Sequence, residues 1–171
     1  YSVLLKDYQI TAEVTATPRV AFQRFSFSKG GENHILFDIG NRQGESGAAV
    51  DASVVYTEDG RIEGWVITEP EYVKKYQPGA QVPLYFSAVV DKQPDAFGVF
   101  NGEKVQQGVR ETKGVGAGVY LTYQVKDSVQ VTAKVGLSYT SVENARINLQ
   151  KEAEHLSFDE VKEQSHQTWE N

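Results

Sequence analysis

Hydrolysis of a glycosidic bond by side chains alone needs two carboxylates placed on either side of that bond, and this chain has 23 Asp and Glu to draw on. Their spacing does not assemble such a pair. Glu58 and Asp59 precede Gly60 in a turn, Glu143 and Glu160 stand at helix starts, and Asp38 alternates with Phe37 and Ile39, so that it faces solvent or a backbone donor. The histidines are His34, His155 and His166, and none stands at ligand spacing from another. His34, beside Asn33, reads as a solvated residue at a strand entrance. Ser46, Ser138 and Ser141 have no accompanying His or Asp motif, and Gly44-Glu45-Ser46-Gly47 lacks the strand-to-helix setting of a nucleophile elbow. Gly114-Val115-Gly116-Ala117-Gly118 would cradle a phosphate only between a strand and a helix. Another strand follows it, so it reads as a glycine-spaced strand at a bend or a close backbone approach. No catalytic and no metal-ligating residue is assigned.

The elements that hold these residues alternate at period two. Ile10, Ala12, Val14 and Ala16 mark one strand, and Ile35, Phe37 and Ile39 another. Between them, Val20 and Phe22 sit at even positions but Phe25 and Phe27 at odd ones, a phase change that predicts a β-bulge. Ala48 to Thr57 and Arg61 to Thr68 form a hairpin across Glu58-Asp59-Gly60. Further strands are expected at Val82 to Val90, near Phe97 to Phe100, at Val115 to Val125 and at Val129 to Tyr139, the last two joined through Lys126-Asp127-Ser128. Glu69 to Ala80 and Gln43 to Gly47 read as loops. At Thr140 the period becomes helical. Thr140-Ser141-Val142-Glu143 and Ser157-Phe158-Asp159-Glu160 both read as capping boxes. Val142, Ala145, Leu149, Ala153 and Leu156 form the stripe of the first helix, and Phe158, Val161 and Trp169 that of the second. The chain therefore divides into a β-sandwich over 1–139 and a helical tail over 140–171. The second helix has so little to bury that it is expected to open readily and to dock, through Phe158, Val161 and Trp169, against a further domain.

Composition narrows the class. Seventeen Lys and Arg leave a net charge of −6, the wrong sign for a nucleic-acid footprint. No apolar run approaches the roughly 20 residues of a membrane span, and there is no Cys for disulfides or thiolate metal sites. The chain lacks Met and begins inside a strand-like run, which predicts excision from a longer polypeptide or removal of a signal segment. Of the aromatic residues, Phe22, Phe25, Phe27 and Phe37 are expected in the core. Trp65, Tyr72, Tyr76 and Tyr85, in or beside the Pro-containing loop, stay open as binding residues.

Two segments resemble one family. Tyr1-Ser2-Val3, Ile10 through Thr17, Arg19-Val20 and Arg24-Phe25 look like the start of the second part of the N-terminal β-domain in glycoside hydrolase family 92, the calcium-dependent exo-α-mannosidases. Val135 through Arg146, Asn148-Leu149, Glu152, Phe158-Asp159 and Trp169 resemble the passage by which that family leaves its β-domain for its catalytic domain. Ala21 and Gln23 depart from the family's usual Gly and His. The resemblance implies a mainly β, galactose mutarotase-like supersandwich with a C-terminal helical tail. It implies no cofactor on this chain, since calcium, the catalytic acid and the base belong to a following helical toroid. It also implies mannose-containing glycans as the parent's substrate, and a secreted, periplasmic or cell-surface location. The expected role is a non-catalytic domain that packs on the toroid and helps shape its pocket. A free-standing carbohydrate-binding module, marked by exposed aromatic residues along one sheet face, and a ligand-binding β-barrel with a closed cavity are the alternatives.

Overall fold

The computed structural model describes residues 1–40 and 47–170. The alternating segments become antiparallel strands: β1 (Ser2–Leu5), β2 (Ile10–Ala16), β3 (Val20–Phe27), β4 (Gly31–Asp38), β5 (Ala48–Tyr56), β6 (Ile62–Glu69), β7 (Val82–Val90), β8 (Ala96–Asn101), β9 (Lys104–Gln107), β10 (Glu111–Lys113), β11 (Ala117–Val125) and β12 (Val129–Ser138). A single helical turn, α1 (Glu71–Lys74), lies in the Pro-containing loop, and α2 (Val142–Ala153) and α3 (Phe158–Glu170) form the tail. The larger sheet runs β1-β2-β3-β12-β7-β6-β5-β10, and the smaller β4-β11-β8-β9. The segment Gln43 to Ser46, with its dismissed nucleophile elbow, lies outside the described residues.

Three layers follow from which faces are apolar. Between the sheets lie Phe27, Val54, Ile62, Ala88, Val119, Leu121 and Val131 among other buried residues. A second core forms on the far side of the larger sheet, where Val20 and Phe22 meet Leu149, Ala153, Phe158 and Val161 of the helices. This explains the phase change in β3, and it corrects the expected bulge. β3 pairs with β2 and β12 without a slip. Its first half is covered by helices on one face and its second half by the small sheet on the other, so apolar residues are required first in one phase and then in the other. The register irregularity lies in β5 instead, between Ala49 and Asp51.

The β5–β6 hairpin turns as expected, with Gly60 at φ 81°. The link through Lys126-Asp127-Ser128 joins strands of different sheets, so it is a crossover between layers and not a hairpin. In the glycine-spaced run Gly116 takes φ 93°, and a Cβ on Gly118 would lie 2.0 Å from the Phe100 ring, a close approach as read from the sequence.

The first helix starts one residue later than its capping box. Ser141, not Thr140, is the N-cap, accepting from the Asn144 amide at 3.0 Å, and Glu143 turns to Arg146 instead of reaching back. Thr140 Oγ1 accepts from the Asn144 side chain. The second box holds: Glu160 accepts from the Ser157 amide at 2.8 Å, and its own amide donates to Ser157 Oγ. α2 ends at Ala153, short of Leu156, and Lys134 on β12 donates from Nζ to the carbonyls of Ala153 at 2.9 Å and Leu156 at 2.8 Å. A sheet lysine thereby satisfies one of the helix's orphan C-terminal acceptors, the Ala153 carbonyl, and one in the link that follows.

Candidate functional site

Two surfaces carry more chemistry than packing alone requires: the seam between the helices and the larger sheet, and the outer face of the smaller sheet.

At the seam, Gly136 on β12 lets α2 approach the sheet; a Cβ there would lie 2.5 Å from the Ala145 carbonyl oxygen and 2.8 Å from Leu149 Cβ. Three charged clips then fix the helices. On β6, Glu63 is buried at 4% exposure and accepts from Arg146 of α2 through both carboxylate oxygens, and from Ser87 Oγ at 2.7 Å. Burial pushes the Glu63 carboxyl up, but the hydrogen bonds from Arg146 and Ser87 outweigh it and hold it below the usual carboxylate range. In the β2–β3 turn, Thr17 Oγ1 donates to Glu152 of α2 at 2.6 Å, and Arg19 adds its side chain at 2.5 Å and its amide at 3.0 Å. Burial again opposes these bonds, and again the Glu152 carboxyl is left low. On β3, Arg24 donates to Glu13 at 2.7 Å and to both oxygens of Asp159 at 3.0 Å, and its guanidinium lies 4.1 Å from the centre of the Phe158 ring. The bond from Arg24 holds Glu13 low.

The residues read as a docking stripe separate here. Phe158 (5% exposed) and Val161 (1%) are already covered by the larger sheet, while Trp169 is 89% exposed near the end of α3. The sheet had more room for α3 than the helix's sparse stripe indicated, because Arg24 offers its guanidinium as a lid for Phe158. Trp169 stands beside a crevice of about 280 Å³ between α3 and the β2–β3 turn.

On the outer face of the smaller sheet a groove of about 730 Å³ runs across all four strands. Register places its contents in rows. Gly118 of β11 lies opposite Phe100 of β8, Tyr120 opposite Gly98, and Thr122 of β11 opposite His34 of β4. His34 thus lies within β4 rather than at its entrance, and its Nδ1 lies 3.0 Å from Thr122 Oγ1. The aromatic residues left open by sequence are elsewhere. Trp65 and Tyr85 are cross-strand partners on the larger sheet, and Tyr72 and Tyr76 are exposed around α1. Sequence reasoning missed Phe100 and Tyr120; the usable signal was the pair of glycines, Gly98 and Gly118, that each ring covers.

Among the described residues no three His, Asp or Glu side chains gather as a metal site, and no helix is long and apolar enough to cross a membrane.

An antiparallel two-sheet sandwich with helices clipped to its larger sheet is a β-supersandwich domain. The chain belongs to glycosyl hydrolase family 92: the model of that family's N-terminal domain matches residues 1–138. Among solved structures, it is similar to the family GH92 α-mannosidase BT3965 of Bacteroides thetaiotaomicron in complex with mannoimidazole, at TM-score 0.85 and 22% identity over 99% of this chain and 22% of that one. It is also similar to the family GH92 inverting mannosidase BT2199 of Bacteroides thetaiotaomicron VPI-5482, at TM-score 0.78 and 17% identity over 99% of this chain and 21% of that one. For the glycosyl hydrolase ccman5 the values are 0.76 and 25% over 94% and 20%. The chain thus spans about a fifth of the length of these proteins. No protein of curated function matches its sequence.

Proposed function

We propose that this chain is the non-catalytic N-terminal domain of an inverting, calcium-dependent α-mannosidase that trims mannose-containing glycans, and that its helical seam packs on a C-terminal helical catalytic domain. The observation that carries the reading is the seam itself. Three charged clips and a second apolar core hold α2 and α3 rigidly on the larger sheet, so a domain following α3 would be held at a fixed angle rather than on a loose linker. The exposed Trp169 is then the side chain left for that domain to cover. The acid, the base and the calcium ligands are assigned to the partner domain, and this chain contributes one wall of the pocket. Mannosidases with solved structures of the same fold support the choice of substrate. A secreted, periplasmic or cell-surface location is part of the same proposal.

The test reads Trp169 directly. In a Trp65→Phe background, its fluorescence should have the long-wavelength emission of a solvated indole in this chain, and should shift to shorter wavelength when the chain is joined to the catalytic domain. Unchanged emission in the longer protein would remove Trp169 from the interface.

A further inference from the structure

The outer face of the smaller sheet faces away from the helical seam, with both sheets between them. Its groove is built around two aromatic rings laid over glycines. A Cβ on Gly118 would lie 2.0 Å from the tip of the Phe100 ring, and one on Gly98 would lie 2.6 Å from Cζ of Tyr120. Each ring therefore lies where a side chain on the neighbouring strand would otherwise stand, as aromatic residues do when they cover strand glycines. Leu36 on one flank and Val105 on the other are 60% and 63% exposed. Left in water with no partner, such an apolar floor is a liability unless something binds it.

Charge and polarity say what fits. Among the described residues no Lys or Arg lines the groove. Its polar end carries Glu32, Asp95, His34 and Gln124, already tied to one another and to the sheet: Gln124 donates to Glu32 at 2.8 Å and its amide to Asp95 at 2.7 Å. His34 stands edge-on to Tyr120, with ring centres 6.1 Å apart, and is held by Thr122. The site thus presents flat apolar rings beside fixed carboxylate and amide acceptors with free lone pairs. A pyranose has the matching chemistry, with a C–H face to lie on a ring and uncharged hydroxyl donors around its rim. Among the described residues an anionic ligand would meet two carboxylates and no Lys or Arg.

We propose that this face is a binding surface for uncharged oligosaccharides, with sugar rings stacked on Tyr120 and Phe100 and hydroxyls donating to Glu32 and Asp95. The surface needs only this chain, so it stands independently of the catalytic reading. Because it lies on the opposite side from α2 and α3, it can hold a glycan while the seam is occupied.

Affinity electrophoresis of this chain through gels containing yeast mannan, laminarin or polygalacturonate tests it. Retardation is expected in at least one of the two neutral glycans and not in polygalacturonate. Tyr120→Ala and Leu36→Lys should each weaken it roughly tenfold. Leu36 is exposed enough to be replaced without unfolding the sheet. In the wild-type chain, amide resonances of 96–101 and 118–124 should move on adding the retarding glycan, those of α2 and α3 should not, and the chain should sediment as a monomer. Binding of laminarin without mannan would support the surface while counting against a mannose preference. Absence of retardation in both neutral gels, retardation untouched by both substitutions, shifts confined to the seam, or a dimer formed through this face would overturn the proposal.

Discussion

Removing either member of the Glu63–Arg146 pair should weaken the protein, but the two losses should differ, and the structure says which is larger. Glu63 is 4% exposed, whereas the Arg146 side chain is 45% exposed and also reaches Glu143 at 3.5 Å. Arg146→Met strands a buried carboxylate with only the Ser87 hydroxyl for company. Removing one partner of a buried pair costs about 3–5 kcal/mol for that reason. Glu63→Gln leaves Arg146 free to turn to solvent and keeps a side-chain acceptor for it, so only hydrogen bonds to a charged group are lost, at about 1.5–3 kcal/mol. The double variant buries no charge at all, and should be no less stable than Arg146→Met alone. The pH dependence follows with a definite sign. In the wild type the Glu63 carboxyl is held low, so its contribution is complete above the unfolded-state pKa and is lost as pH falls through the folded-state value. In Arg146→Met only the Ser87 hydrogen bond and the charge of Arg61 still oppose burial, so the Glu63 carboxyl lies higher than in the wild type, and the variant's deficit shrinks on acidification from pH 7 to 5. Urea melts of the three variants at both pH values read all of this. A Glu63→Gln loss equal to or larger than that of Arg146→Met, or a deficit that grows on acidification, would refute the assignment of Glu63 as the buried partner.

Phe158→Ala should cost about 3–5 kcal/mol in the same melts, as the loss of a buried aromatic ring does, while Trp169→Ala should stay within about 0.5 kcal/mol; equal effects would mean that α3 is not seated as described. Ser141→Ala should cost about 1 kcal/mol, the usual loss of an N-cap, and Thr140→Ala less than half as much, which thermal melts can separate. Gly136→Ala should lift α2 off β12, cost about 1–3 kcal/mol by overpacking, and raise amide exchange along α2 more than along β11.

Much of the fold was legible because alternation at period two is imposed by one-sided burial. β5 is buried in that way, and β2, the β5–β6 hairpin, β7 and β12 were each read near their observed bounds. β3 shows where the rule breaks. Its apolar residues change phase because its cover changes from helix to sheet along its length, and a single sequence carries no mark that distinguishes this from a bulge. The tail was half legible. Its two starts were read, one of them a residue early, but the burial of Phe158 depends on Arg24, which is 134 positions away in the chain and gives no local signal. The family was legible from ordered motifs at both ends of the chain, and the family match bears that out. The groove was not, because Tyr120 and Phe100 lie on strands whose alternation places them outward, where an aromatic residue reads as an exception unless the opposing glycine is paired with it.

The most direct test of the account is hydrolysis of 4-nitrophenyl α-D-mannoside in calcium, measured for this chain alone and for the same chain joined to a family 92 helical domain. The account predicts no turnover by the chain alone, and calcium-dependent turnover, abolished by a chelator, by the joined protein, because an inverting enzyme needs an acid and a base about 6.5–9.5 Å apart and both are assigned to the helical domain. Turnover that tracks the purified chain through successive columns, or a correctly folded joined protein with no α-mannosidase activity, would contradict it.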